Sequence, residues 1–187
     1  METTLTTAAG RLLRPWDDED AAAVLTAFGA PDMAGQAGRP ITDLDTARAW
    51  LTERRQAADA HSSAVTEHGT LVGSVTVSAI DRRHDTGWIS YWTTPGARGH
   101  GVAADAVTAL AGWALGELGL FRLELGHRLN NPASCRVAHA AGFAVEGLER
   151  AKLRYGDQRF DVELHARLAT DPAPRWHAPS SRAISTS

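Results

Sequence analysis

The sequence contains little that would anchor the chain in a membrane or cross-link it covalently. Cys135 is its only cysteine, so no disulfide can form within the 187 residues. No apolar run approaches the roughly 20 residues that a membrane-spanning helix needs, and the first sixteen residues lack the apolar core of a secretion signal. These absences predict a cytoplasmic protein with no membrane contact.

The sequence also lacks an excess of positive charge and any regular spacing of metal ligands. Its net charge is −3 and its pI is about 6.2, which does not favour sequence-independent binding of nucleic acid. The eight histidines are scattered and form no zinc-type spacing with Cys135. We therefore expect neither a nucleic-acid partner nor a metal. The 43% hydrophobic and 22% charged residues are typical of a globular domain.

Periodicity divides the chain into alternating strands and helices. Helices are predicted after Asp17, after Thr42, over about 102–116, and from Asn131 to the glycine at 142, because capping residues or Pro and Gly bound each pattern. The strand-type segments are 10–16, two within 62–80 that meet at a His68-Gly69 turn, 87–95, 121–127, 143–153 and 160–168.

This order predicts an α/β fold with a mixed, twisted, mostly antiparallel sheet of about seven strands and helices on both faces. One parallel crossover is expected around the helix at 102–116. Residues 1–168 are interpreted as a single domain. Residues 169–187 are rich in Pro, Ser, Thr and Ala and are interpreted as a disordered tail.

A glycine-containing loop runs directly into the helix at 102–116. Gly99 and Gly101 can adopt backbone angles that are closed to other residues. The helix N-terminus offers unpaired N–H groups and partial positive charge, a combination that suits a phosphate group. A plain turn before a packing helix would have the same pattern.

Two motifs carry a resemblance to a known family. The stretch "ISYWTTPGARGHGVAADAV" contains the loop Arg98–Ala103, and "NNPASCRVAHAAGF" follows about thirty residues later. Together they resemble the Gcn5-related N-acetyltransferase (GNAT) superfamily and its Rim-type branch, which acetylates ribosomal protein amino ends. The resemblance extends over roughly residues 10–168. The positions of the second motif that fit are Asn131, Ser134, Val137, Gly142 and Phe143.

The resemblance implies acetyl-CoA as donor and an amine as acceptor. It also implies a splay between the fourth and fifth strands, at 87–95 and 121–127, where the pantetheine arm would lie. Backbone N–H groups near Trp92–Thr94 would face the thioester. Tyr91 and Trp92 could both be core residues, and at most one of them would face the splay. The implied coenzyme-binding residues are Trp92, Thr93, Thr94, Arg98, Gly99, His100, Gly101, Val102, Ala103, Asn131 and Ser134.

The same resemblance nominates residues for the chemistry. Ser134 would protonate or hydrogen-bond the leaving sulfur, unless it only caps or packs. Glu124 would act as general base through a water, unless it is a surface ion-pair partner. His127 and Asp85 are further candidates for the base. Cys135 is interpreted as a small buried residue rather than a nucleophile, because nothing near it in sequence activates the thiol.

The sequence leaves the acceptor open. The Rim-type resemblance favours a protein or peptide N-terminal amine, while a small amine and a catalytically silent acyl-CoA-binding module are the alternatives. His165 stands where relatives often have Tyr, and the last hairpin is one residue longer than usual, so the acceptor side departs from the family pattern. The resemblance also leaves a homodimer open.

Overall fold

The computed structural model describes residues 3–33 and 36–174. Within these residues the chain forms eight strands and four α-helices, together with short 3₁₀ turns at Asp18–Asp20 and Pro95–Ala97. The strands are β1 (Leu5–Thr6), β2 (Leu12–Pro15), β3 (His61–Glu67), β4 (Thr70–Asp81), β5 (Thr86–Thr93), β6 (Arg122–Arg128), β7 (Ala144–Tyr155) and β8 (Gln158–Leu168). The helices are α1 (Ala21–Phe28), α2 (Leu44–Gln56), α3 (Val102–Gly116) and α4 (Pro132–Ala140).

The strands form a single sheet in the order β1-β2-β3-β4-β5-β6-β8-β7. All neighbours are antiparallel except β5 and β6, which run parallel and are joined by the crossover through α3. The predicted mixed, mostly antiparallel sheet is therefore confirmed. It has eight strands rather than about seven, because the two-residue strand β1 is too short to show an alternating pattern in the sequence.

The parallel strands β5 and β6 separate soon after they meet. They pair only at Thr86 with Arg122, Gly87 with Leu123 and Trp88 with Glu124. Beyond this point β5 continues beside β4, and β6 continues beside β8. The carboxyl ends of the two strands thus diverge, which confirms the predicted splay.

Helices cover both faces of the sheet, as predicted. On one face α3 and α4 enclose a core that includes Ile89, Leu123 and Leu125. On the other face α1 and α2 enclose a second core rich in tryptophan. There Trp16 and Trp50 meet edge to face with their ring centroids 5.3 Å apart.

Helix boundaries follow local capping chemistry. Asp17 caps the turn that leads into α1, and Asn131 with Pro132 begins α4, both as predicted. The prediction that Thr42 caps α2 is wrong. Asp43 takes that role because its carboxylate accepts the Thr46 N–H at 2.8 Å, a hydrogen bond that lowers the pKa of Asp43.

The start of the C-terminal segment contacts the domain. Of the predicted tail at 169–187, residues 169–174 are described, and the Ala169 N–H donates to the carbonyl of Phe121 at 2.8 Å. Residues 175–187 lie outside the described part of the chain. No helix within 3–33 and 36–174 has the length and apolar character needed to cross a bilayer.

Candidate active site

A cleft of about 740 Å³ opens where β5 and β6 separate. Its walls come from five places: the end of β5, the loop that leads into α3 with the first turn of that helix, the end of β6 with the loop after it, α4, and the segment that follows α1. The cleft thus brings the two sequence motifs together, although about thirty residues separate them in the chain.

The loop before α3 presents unpaired amides to this cleft. Gly99 and Gly101 have φ angles of 78° and 75°, in the left-handed region that the sequence predicted for them. Gly101 begins α3. Among the described residues, no backbone carbonyl accepts a hydrogen bond from the N–H groups of Gly99–Ala104. A run of free donors at a helix N-terminus is suited to binding an anion.

The charged residues of the cleft are mostly basic. Arg98, Arg128 and Arg136 all line it, and Asp32 is the acidic residue among its lining groups. Asp32 forms an ion pair with Arg98 at the entrance of the glycine-containing loop. In a chain of net charge −3, this local excess of positive charge favours an anionic ligand.

A buried ion pair between Arg11 and Asp105 is linked to the glycine-containing loop. The Arg11 guanidinium contacts the Asp105 carboxylate at 3.2 Å and donates to the carbonyl of His100 at 3.3 Å. Arg11 also reaches Glu67 at 2.9 Å. Sequence reasoning did not find this support. The one available signal was Asp105 itself, a charged residue within the apolar stripe of α3.

Ser134 and Tyr91 lie beside each other in the cleft. Asn131 caps α4 by accepting the Ser134 N–H at 3.2 Å, which fixes Ser134 in the first turn. The Tyr91 hydroxyl is buried near the Ser134 side chain and forms no hydrogen bond of ordinary geometry with the described residues. Burial raises the pKa of Tyr91, and the neighbouring Ser134 partly opposes that shift. Tyr91, rather than Trp92, therefore points towards α4.

The end of β5 offers fewer free amides than the sequence suggested. The Thr94 N–H donates to the carbonyl of Val72 at 3.0 Å and is not available to a ligand in this conformation. Because successive N–H groups along a strand point in opposite directions, Thr93 directs its N–H away from β4 and Trp92 does not. The Trp92 ring packs against Phe28, 5.1 Å between centroids, in the second core. Within Trp92–Thr94, the amide facing the gap is that of Thr93.

The structure does not bring Glu124 to the cleft. Its carboxylate accepts from Arg122 Nε at 2.8 Å, at the end of β6 that still pairs with β5. Arg122 also binds Glu146, and these two hydrogen-bonded carboxylates raise the pKa of Arg122. Glu124 therefore has the surroundings of a surface ion pair, which was the alternative to a general base.

The two further base candidates also lie outside the cleft lining. Asp85 occupies the turn before β5, where its carbonyl accepts the N–H groups of Phe121 and Arg122. His127 is buried against His165, with a distance of 3.0 Å between their Nε2 atoms. Neither residue is among those that line the cleft.

Comparison with known proteins agrees with the sequence motifs. Residues 11–144 match the family described as an acetyltransferase (GNAT) domain. The ribosomal-protein-serine acetyltransferase of Escherichia coli (strain K12) is 31% identical over 98 residues, which cover 52% of this chain and 55% of that protein. The probable N-acetyltransferase YjcK of Bacillus subtilis (strain 168) is 32% identical over 102 residues, or 54% and 56% of the two chains. The chain thus matches about half the length of these curated relatives.

A solved structure shares the fold over nearly the whole chain. Mycobacterium smegmatis RimJ in complex with CoA-disulfide superposes with a TM-score of 0.79 at 24% identity, covering 90% of this chain and 87% of that one. At this level of identity the likeness concerns the fold.

Proposed function

The chain belongs to the GNAT acetyltransferase family, and we propose that it transfers an acetyl group from acetyl-CoA to a primary amine. One observation carries the proposal: Gly99 and Gly101–Ala104, whose N–H groups have no backbone acceptor among the described residues, line an arginine-bearing cleft at the gap between β5 and β6. A diphosphate has the charge and the acceptor oxygens that such a loop can bind.

On the donor side, the diphosphate of coenzyme A would occupy the loop Arg98–Ala103. Arg98 would then exchange its ion pair with Asp32 for a phosphate oxygen. The pantetheine arm would extend along the free edge of β5 towards α4, and its polar groups would lie within reach of Asn131. This path leads the thioester to Thr93 and Ser134.

The chemistry we propose is direct transfer without an acyl-enzyme. The neutral amine nitrogen attacks the thioester carbon, and the Thr93 N–H stabilises the resulting oxyanion. The C–S bond then breaks as the amide forms. The leaving thiolate takes a proton from the hydroxyl pair of Ser134 and Tyr91, and the proton that the amine nitrogen loses returns through solvent to reprotonate that pair. Glu124 is omitted from this scheme, because Arg122 already pairs with its carboxylate.

For the acceptor, we propose the N-terminal amine of a protein or peptide. The support is the E. coli relative, whose name gives ribosomal protein as its substrate. The β7–β8 hairpin, on the proposed acceptor side, carries Tyr155 and Phe160. The Arg128 guanidinium lies 5.2 Å from the centre of each ring. An aromatic and cationic surface of this kind suits a peptide backbone or an acidic side chain next to the amine.

A thiol-release screen tests the proposal. The full chain with acetyl-CoA is offered peptides with free N-termini, the same peptides with blocked N-termini, and a panel of amino acids, polyamines and aminoglycosides. We expect thiol release with the free peptides alone. Release with small amines alone would overturn the peptide acceptor. Acetyl-CoA binding by calorimetry without thiol release from any amine would overturn the enzyme and leave a binding module.

A further inference from the structure

Four potential metal ligands converge between α4 and the sheet, in a group we call the His/Cys/Glu cluster. It comprises His127 on β6, Glu163 and His165 on β8, and Cys135 on α4. One ligand atom from each residue lies within 4.8 Å of all the others. The cluster does not belong to the transfer chemistry proposed above, since that scheme assigns no role to any of its members.

The distances within the cluster resemble those around a tetrahedral ion. The two histidine Nε2 atoms are 3.0 Å apart, and Glu163 Oε1 lies 2.9 Å from His165 Nε2 and 3.4 Å from His127 Nε2. Cys135 Sγ is 3.8 Å from the same oxygen. Ligands around tetrahedral zinc are about 3.3–3.7 Å from one another, given bond lengths near 2.0 Å to N or O and 2.3 Å to S. Small side-chain shifts would therefore place all four on one ion.

The histidine rings are oriented for this arrangement. His127 Nδ1 lies 3.0 Å from the carbonyl of Arg128, so it carries the proton there and leaves the Nε2 lone pair directed into the cluster. This second contact is the one that orients most metal-bound histidines. His165 is fully buried and, unlike His127, has no partner for its Nδ1 among the described residues, so its position is set by packing and by its Nε2 contacts. Its polar contacts all pass through Nε2, towards the same point.

The negative charge of Glu163 also favours a cation within the cluster. Within the described residues, the ionic contacts of Glu163 are those with His127 and His165, and no Lys or Arg reaches its carboxylate. The side chain of Glu163 is only 23% exposed, and an unpaired carboxylate is costly to remove from water. A coordinating thiol is deprotonated, so Glu163 and Cys135 together would balance the two charges of Zn²⁺.

We propose that the His/Cys/Glu cluster is a structural zinc site. The protein supplies all four ligands, which is the closed coordination typical of structural rather than catalytic zinc. The ion would link β6, β8 and α4, and would thereby fix the helix that presents Asn131 and Ser134 to the cleft. Cys135 and Glu163 are partly exposed and provide a path for the ion to enter.

Metal titration of the full chain, prepared without a histidine tag, tests this proposal. After treatment with a chelator, we expect the protein to bind about one Co²⁺ per chain, with the absorption of tetrahedral cobalt and a sulfur-to-cobalt charge-transfer band. Zn²⁺ should displace the cobalt and raise the melting temperature. Failure of micromolar Zn²⁺ to bind the folded protein would overturn the proposal, and the cluster would be a hydrogen-bonded network.

Substitutions identify the ligands. Cys135→Ser should abolish the charge-transfer band, and His165→Asn should weaken Zn²⁺ binding by about 100-fold or more, since even the loss of a supporting group costs about 10–100-fold. His84→Gln, at an exposed turn, is the matched control and should leave both unchanged. If the ligand variants do not fold, the zinc-dependent melting of the unsubstituted chain still decides. An unaltered cobalt spectrum in Cys135→Ser would contradict the assignment.

Discussion

Arg11 and Asp105 are 94 positions apart in the sequence and form a buried ion pair beneath the glycine-containing loop. Arg11 is 7% exposed and Asp105 is 2% exposed. The same guanidinium holds the carbonyl of His100. Arg11, the residue before β2, therefore connects the start of the chain to the loop that carries the proposed anion-binding amides.

The first prediction is that removal of one charge of this pair destabilises the fold, because the other charge stays buried with fewer partners. Asp105→Ala leaves Arg11 with a single carboxylate, Glu67, and should lower the free energy of unfolding by about 3 kcal/mol. Urea denaturation measures this. Arg48→Ala, which breaks an exposed pair with Asp45, is the control and should cost less than about 1 kcal/mol. Equal losses of unfolding free energy in the two variants would contradict the prediction that the buried pair contributes more to stability than an exposed pair.

The second prediction concerns the charge of the loop. Gly101→Asp places a carboxylate where the diphosphate is proposed to bind and should weaken acetyl-CoA binding by about 100-fold, the effect of roughly 3 kcal/mol of repulsion at close range. Gly101→Asn has the same shape, tolerates the φ of 75° comparably and carries no charge. Calorimetry on both variants separates charge from strain. Similar affinities would contradict the proposed anion site.

The third prediction concerns competition for Arg98. Asp32→Asn releases Arg98 from its ion pair and should strengthen acetyl-CoA binding by up to about fivefold at low salt, because exposed pairs are worth at most about 1 kcal/mol. The gain should shrink as salt rises. Asp45→Asn changes the net charge equally and lies in another exposed pair, so it serves as the control. A matching gain in that variant would indicate a general charge effect.

The fourth prediction concerns the hydroxyl pair at the thiol. Ser134→Ala and Tyr91→Phe should each lower kcat by about 100-fold or less, as expected for the loss of one acid–base group. If both hydroxyls serve the same sulfur, the double variant should be little slower than the worse single variant. Steady-state kinetics on the four proteins measures the coupling. Fully multiplicative losses would assign the two hydroxyls to separate steps.

The fifth prediction follows from the burial of Tyr91. Because its folded-state pKa is raised above the usual value of about 10, its contribution to stability is complete below pH 10 and is lost as the pH rises through the folded-state pKa. Tyr91→Phe should therefore lose stability less steeply above pH 10 than the unsubstituted chain. Tyr155→Phe removes the hydroxyl of the exposed tyrosine and is the control. Parallel alkaline curves for all three would contradict the expected linkage.

Local signals predicted much of the fold and one side of the site. The Gly99 and Gly101 loop and the Asn131–Pro132 helix start each depend on neighbouring residues, and the structure has both. The sequence pattern predicts Thr42 as the cap of α2, whereas the next residue, Asp43, caps it, and both residue types cap helices. Adjacent candidates of similar capping strength cannot be separated by pattern alone.

The remaining features depend on contacts between distant parts of the chain. The contact of Arg122 with Glu146 and the occupied Thr94 N–H, which donates to Val72, follow from strand neighbours and register, which alternation does not determine. The His/Cys/Glu cluster draws its members from β6, α4 and β8, so no spacing along the sequence reveals it. The prediction that no metal is bound assumed that ligands would be close in sequence, and this fold collects them from three elements.

The short contact between β5 and β6 has a consequence for motion. Three residue pairs join one half of the sheet, β1–β5, to the other half, β6–β8. Beyond those pairs the facing edges have no ladder of their own, so opening of the free protein should concentrate along this line. A coenzyme bound in the gap would supply the missing contacts, and amide hydrogen exchange in the second half of β5 should slow when it binds, while exchange in β3 stays the same.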